Sequence, residues 1–276
     1  MTVTRDEKYN AFRNLHERPG TFVIPNPWNA GTAKILTALG FEALATTSAG
    51  YAFSIGRPDS TSELTRDGVL ENAKAIVEAT HLPVSADLQD GFGRSPQTCA
   101  ETIRLAADVG LAGGSIEDAT GDPKDPIYEF HLAVDRVAAA AEAAHACQFL
   151  LTARAENFLH GRPNLDDTLR RLQSFAEAGA DVLYAPGLTS LEAIREVCAS
   201  VSTPVNVVMG LKGATYSVEE LAAVGVKRIS VGGALARAAL GAFMRAAREV
   251  KDKGTFTFAA EALPHSEASG YMAREK

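Results

Sequence analysis

Residues 105–118 read LAADVGLAGGSIED. The stretch closes a helical pattern at Gly110, turns, and enters a short strand that ends in two acids. A glycine just past a helix is the usual left-handed stop before a new element. The wording returns at 38–44 (ALGFEAL), 177–184 (EAGADVLY) and 223–229 (AVGVKRI). It marks a recurring βα unit. Working outward, eight short apolar runs read as strands: Thr21–Pro25, Ala43–Ser48, Val84–Leu88, Gly114–Asp118, Leu150–Glu156, Val182–Ala185, Val205–Met209 and Arg228–Gly232. Near-continuous hydrophobicity is how strands covered on both faces read. Helical patterns alternate with them, from Ala30–Leu39 and Thr65–Ala79 to Leu235–Val250. Eight such units in 276 residues predict one α/β domain over 1–276, a TIM-type (β/α)8 barrel. An extension begins at about residue 254. A doubly wound sheet would want a glycine-rich dinucleotide turn early in the chain, and residues 24–31 (IPNPWNAG) are not one.

Composition excludes several classes. Hydrophobic residues make up 46% and charged residues 22%, enough to bury a large core. The formal charge of −7, with no basic stripe, argues against nucleic acid and against anionic lipid. No apolar run approaches the roughly 20 residues of a membrane helix. Three cysteines without a CxxC pair make no disulfide framework. The polar N-terminus lacks the apolar core of a signal peptide. These features together predict a cytoplasmic protein.

Barrel enzymes carry their chemistry at the C-terminal ends of the strands. There the sequence places Ser48, Ala49 and Gly50 after strand two, and Asp87, Gln89 and Asp90 after strand three. Glu117 and Asp118 end strand four; Arg154 and Glu156 end strand five. Asp59 lies in the loop after strand two. Converging carboxylates raise one another's pKa unless a cation joins them. An oxygen-rich set of this kind suits Mg²⁺, with Mn²⁺ as an alternative. The planar fork of Arg154 suits a substrate carboxylate. The backbone N–H groups of 48–50 suit a developing oxyanion. Plainer readings stand beside these. Asp90 and Asp118 read equally well as cap or turn residues. Arg154 reads also as half of an ion pair with Glu156 or Glu117, and residues 48–50 as a tight turn. His160 is either an enolate proton donor or an exposed loop histidine. Tyr184 and Asn206 either line the pocket or pack.

With these residues in place, the chain resembles the isocitrate lyase/phosphoenolpyruvate mutase superfamily from about Thr21 to Ala247. The likeness is carried by PNPWNAGTAKILTALGF, TTSAGYAFSIGRPDS, VSADLQDGFG, GGSIEDAT and LTARAEN, in that order and spacing. The resemblance implies a barrel whose eighth helix is swapped onto a partner subunit, in a homodimer or homotetramer. It implies Mg²⁺ and 2-oxo or dicarboxylic acid substrates that pass through an enolate. By motif position Asp87 and Glu117 match metal-site residues, and Asp59 matches the acid that helps hold metal-bound water. Arg154 matches the arginine on a substrate carboxylate. Ser48, Ala49 and Gly50 match the segment on the substrate's oxygens.

The departures are informative. Many members read Asp-x-Asp where this chain reads Asp87-Leu88-Gln89. The loop after strand four, SIEDATGDPKDPIYEF, has no cysteine, unlike the isocitrate and methylisocitrate lyases. Cys99, Cys147 and Cys198 fall in helical segments and read as small packed residues. The mutase and phosphonopyruvate hydrolase members of that superfamily carry a Lys and an Asn in the loop after strand four; here Lys124 has no accompanying Asn, so the resemblance does not extend to phosphorus–carbon chemistry. The sequence therefore predicts a Mg²⁺-dependent lyase or decarboxylase of a small 2-oxo or 2-hydroxy carboxylic acid. A phosphonate hydrolase or mutase, and a catalytically weak 2-oxo acid binding protein, are the alternatives.

Overall fold

Eight short parallel strands stand side by side in the computed structural model, which describes residues 3–60, 63–213 and 215–273. In chain order α1 (Arg5–Glu17) precedes β1 (Phe22–Ile24), α2 (Ala30–Ala38), β2 (Leu44–Ala45), α3 (Ser48–Ser54) and α4 (Arg66–Glu78). There follow β3 (Val84–Asp87), α5 (Pro96–Asp108), β4 (Gly113–Glu117), α6 (Phe130–Ala146), β5 (Leu150–Arg154) and α7 (Leu165–Glu177). Then come β6 (Val182–Tyr184), α8 (Leu191–Ser200), β7 (Val205–Val208), α9 (Val218–Ala223), β8 (Arg228–Ser230) and α10 (Ala234–Lys253). A 3₁₀ turn (Thr257–Ala260) and α11 (His265–Met272) end the described chain.

The strand order β1-β8-β7-β6-β5-β4-β3-β2 is that of a (β/α)8 barrel, as the repeated βα units predict. Between β1 and β2 there is no ladder. Two contacts span the seam: Ala45 N–H donates to Pro25 O at 3.0 Å, and Asn26 bridges. The buried Asn26 amide donates to Thr46 O at 2.9 Å and accepts from Val231 and Gly232 N–H, each at 2.9 Å.

Helix α1 reads in the sequence only as a polar leader. It is in fact started by a Thr4/Glu7 capping box, and it buries Phe12 and Leu15 against Phe22, Ile24 and Leu150. That cluster closes the N-terminal mouth of the barrel. Gly113 lets it do so: a Cβ there would lie 2.8 Å from the Phe12 ring and 2.7 Å from Leu150 O.

The second strand is shorter than its apolar run suggests. Ser48 opens α3, whose N-cap is Thr47, instead of ending the strand. The eighth helix also departs from a simple barrel. Only Ala236 of α10 is buried; Phe243 is 70% exposed and Phe256, beyond the helix, 65%. Helix α11 returns to α2, where Lys34 Nζ donates to Met272 O at 2.8 Å.

Candidate active site

Parallel register brings the charged strand ends together. Glu117 is level with Arg154 across β4 and β5, and Arg154 with Tyr184 across β5 and β6. Neighbouring strands lie about 4.8 Å apart, so side chains at one level touch. Arg154 is the hub. Its Nε donates to Glu156 Oε1 at 2.7 Å, and its Nη1 to Asp87 Oδ1 at 3.3 Å. Its Nη2 lies 3.2 Å from Glu117 Oε2, and its guanidinium carbon 5.0 Å from the Tyr184 ring centroid. The arginine side chain is only 13% exposed. The ion-pair reading is therefore met with Glu156 and Glu117 together, and with Asp87 besides.

One guanidinium does not balance three carboxylates. Burial pushes the Glu117 pKa well above the usual carboxylate range; Arg154 opposes this, while Glu156 and Asp87 add to it. Burial works against the Arg154 charge, but Glu156, Glu117 and Asp87 outweigh it and raise its pKa further. Asp59 belongs to the same group. Its pKa is raised by burial and by Asp87, and lowered by a hydrogen bond with Ser48 and by Arg154.

The segment 48–50 is partly engaged within the chain. Ser48 N–H donates to Asp87 Oδ2 at 3.1 Å, and Gly50 N–H to Thr47 Oγ1 at 3.3 Å. The glycine is required by packing: a Cβ at Gly50 would sit 2.7 Å from Thr47 Cγ2 and 2.8 Å from Trp28 Cβ. Ala49 faces Gly233, at the start of α10.

Of the residues with two readings, Asp90 and Asp118 prove to be buried supports. Asp90 accepts from Phe92 N–H at 3.0 Å and from the Tyr128 hydroxyl at 3.2 Å. Asp118 accepts from Glu156 N–H at 2.8 Å and from Arg171 Nη1 at 3.0 Å. Arg171 also donates to Tyr128 O at 3.0 Å, so it ties the loop after β4 to α7. Burial pushes the Asp118 pKa up to about 7, against the hydrogen bond from Glu156 and the charge of Arg171. Its ordinary value is 3.8. A folded-state pKa above the unfolded one gives stability that is complete below about pH 4 and lost as pH rises through about 7. Asp118→Asn, which mimics the protonated form, should remove that slope. Denaturation at pH 5 and pH 8 should show wild type losing stability relative to the variant, by up to about 1.4 kcal/mol per pH unit. An identical difference at both pH values would refute this.

Gln89 replaces an expected acid and sits in a left-handed conformation, φ 49°. It is buried, and its Oε1 has no hydrogen-bond partner. Among the described residues no three His, Cys, Asp or Glu side chains form a ready metal cage. The carboxylates that meet are Asp87 and Glu117, both on Arg154, and Gln89 lines the cavity beside Glu117. This is a hard-oxygen set with few carboxylates, which fits an ion that keeps several of its waters, as Mg²⁺ does.

A cavity of about 350 Å³ opens above these groups. Ser48, Asp59, Gln89, Glu117, Arg154 and Glu156 form its floor. Its roof is the hairpin after β4, closed by an antiparallel bridge between Ala119 and Ile127. His160 and Leu159 stand at the mouth, and both are exposed. Lys124 is outside the lining. Cys99 is buried in α5 with its thiol pushed up to about 11, and burial does the same to Cys198. Neither is poised to react at neutral pH.

Arg228 escaped the sequence reading. It lies wholly inside the barrel with no carboxylate against it. Its Nε donates to Asn206 Oδ1 at 2.8 Å and its Nη2 to Thr152 Oγ1 at 2.9 Å. Its Nη1 faces His16 Nε2 at 3.3 Å. His16 Nδ1 is 2.9 Å from Phe12 O and so carries the proton, which leaves Nε2 to accept. Burial holds His16 neutral, with a pKa of about 3. Asn206 thus supports Arg228, whereas Tyr184 packs under the Arg154 guanidinium.

Fold and site define a barrel enzyme whose acidic strand ends surround one arginine. Residues 12–251 match the family described as phosphoenolpyruvate phosphomutase. The 2-methylisocitrate lyase of Escherichia coli K12 is 30% identical over 220 residues, covering 76% of this chain and 73% of that one. A crystal structure from Burkholderia cenocepacia J2315, provisionally described as a lyase/mutase, superposes with a TM-score of 0.95. It is 58% identical and covers 98% of this chain and 97% of its own. A 2,3-dimethylmalate lyase structure gives 0.86 at 26% identity, over 98% and 95% of the two chains. The chain belongs to the isocitrate lyase/phosphoenolpyruvate mutase superfamily of lyases and mutases acting on small carboxylic acids.

Proposed function

We propose that the protein is a Mg²⁺-dependent lyase that breaks a carbon–carbon bond next to the carbonyl of a small 2-oxo or 2-hydroxy carboxylic acid. The observation that carries this is Arg154, a permanent cation held at the cavity floor by Asp87, Glu117 and Glu156. Its fork takes the substrate carboxylate. Asp87 and Glu117 would hold the ion, Mg²⁺ or Mn²⁺, with Asp59 accepting from its waters. When bound, the ion stabilises negative charge developing on the carbonyl oxygen. Ser48 lies on the same side, hydrogen-bonded to Asp59, and orients the substrate's oxo group. The hairpin after β4 covers the cavity and keeps water from the reacting carbon.

The test is steady-state turnover of a 2-oxo and 2-hydroxy acid panel, with Mg²⁺ and with chelator. Metal-dependent cleavage supports the reading. Turnover of phosphonopyruvate alone would replace it with phosphorus–carbon chemistry, and binding without turnover would make the chain a binding protein.

Assembly belongs to the same proposal. Helix α10 leaves the barrel with Leu240, Phe243 and Met244 exposed. An apolar helix face of this size wants a cover. We assign it a second copy's barrel, with α10 exchanged between subunits in a dimer or tetramer. Light scattering at micromolar concentration should give at least twice the 29.1 kDa chain mass. A monomer would overturn the exchange. No helix of the described residues is long and apolar enough to cross a membrane. The three free cysteines accord with a cytoplasmic location.

A further inference from the structure

We infer that Asp87 is an internal competitor of the substrate: its carboxylate occupies the two donors that receive the substrate's oxygens, and it yields them when it turns to the ion. This rests on the Mg²⁺ and 2-oxo acid reading above and adds how the two ligands depend on each other.

Both oxygens of Asp87 are engaged. Oδ1 accepts from Arg154 Nη1 and from Gln89 N–H, each at 3.3 Å, and Oδ2 accepts from Ser48 N–H at 3.1 Å. Ser48 and Arg154 both line the cavity. One carboxylate bridging a guanidinium and a backbone N–H makes the contacts that a substrate carboxylate would make there. The same N–H groups cannot serve both at once. The other acids on Arg154 do not stand in this relation. Glu156 holds Nε at 2.7 Å, Glu117 lies on Nη2 at 3.2 Å, and the Ser48 N–H goes to neither. Both contacts can persist while Nη1 changes partner.

The Asp87 side chain can move without its backbone. Its N–H donates to Thr46 Oγ1 at 3.0 Å, and β3 is paired with β4 at Asp87 and Ser115. A hollow of about 60 Å³ inside the barrel, lined by Asp87, Arg154, Ser115 and Ser230, gives the carboxylate room to turn. A turned carboxylate without a partner is costly here, because the Asp87 side chain is only 18% exposed. The ion supplies that partner. Acid and ion are therefore coupled, and by linkage each tightens the other by the same factor.

Calorimetry with pyruvate, 2-oxobutyrate and 2-oxoglutarate, in Mg²⁺ and in chelator, tests this. Because the ion also meets the acid's oxygens directly, the deciding arm is the one in chelator. There Asp87→Asn should bind the tightest of the three acids at least about tenfold better than wild type does, since a neutral amide is a weaker rival for both donors. Asp59→Asn removes a charge from the same lining and frees neither donor, so it should change that affinity by less than about threefold. Arg154→Ala reads the exchange from the other side: Mg²⁺ alone should bind at least about tenfold more tightly than to wild type. Absence of the gain in Asp87→Asn, or an equal gain in Asp59→Asn, would overturn the competition and leave the lyase reading standing. Unchanged Mg²⁺ affinity in Arg154→Ala would overturn it too, whether or not Asp87→Asn folds. No binding of any of the three acids to wild type in Mg²⁺ would overturn both readings.

Discussion

Replacing Arg154 by alanine is expected to weaken 2-oxo acid binding by at least about thirtyfold. The size follows from the site. Arg154 is largely desolvated, and losing one partner of a desolvated charge pair costs about 2–5 kcal/mol. The variant also leaves Asp87, Glu117 and Glu156 facing one another without their shared cation. Like charges then favour any divalent ion that joins them. Acid affinity should therefore fall while Mg²⁺ affinity, measured without the acid, does not. Arg154→Lys should recover only part of the loss, because an ammonium cannot reproduce three directed contacts from one plane. Calorimetry with the best-binding acid reads both affinities. Wild-type acid affinity in Arg154→Ala would leave the arginine a structural clamp.

Asp87→Asn is expected to lower Mg²⁺ affinity by about a hundredfold, with turnover falling alongside. Asparagine keeps an acceptor for the Ser48 N–H and removes one negative charge from a crowded cluster. Arg154 retains Glu117 and Glu156, so the fold should persist. An unchanged melting temperature with lost metal affinity would locate the effect at the ion. Unchanged metal affinity would remove Asp87 from the metal site.

The barrel was legible because each βα unit carries its own punctuation: a glycine stop, an apolar run, then a charge. The meeting of Asp87, Glu117 and Arg154 follows from the same pattern, since parallel register sets strand ends side by side. Other features were hidden for identifiable reasons. Helix α1 has a Thr4/Glu7 capping box ahead of Phe12 and Leu15, but its many charges mask that face. Ser48-Ala49-Gly50 contains residues that favour turns, so the short α3 reads as loop. Arg228 stands at the start of a strand, where a charge suggests solvent. Only closure of the barrel turns that position inward.

Arg228 gives the barrel interior a charge that persists around neutral pH. Its partners Asn206, Thr152 and His16 are all neutral, and burial lowers its pKa only to about 10. A lysine in the same place would surrender its proton readily, as buried ammonium groups do. The guanidinium instead keeps a constant positive potential one side-chain layer below the acidic floor, from mildly acid to mildly alkaline solution. The carboxylates above are thus poised over a fixed counterweight. Changes in acidity reach the cavity floor through its carboxylates, while the barrel beneath them holds its charge.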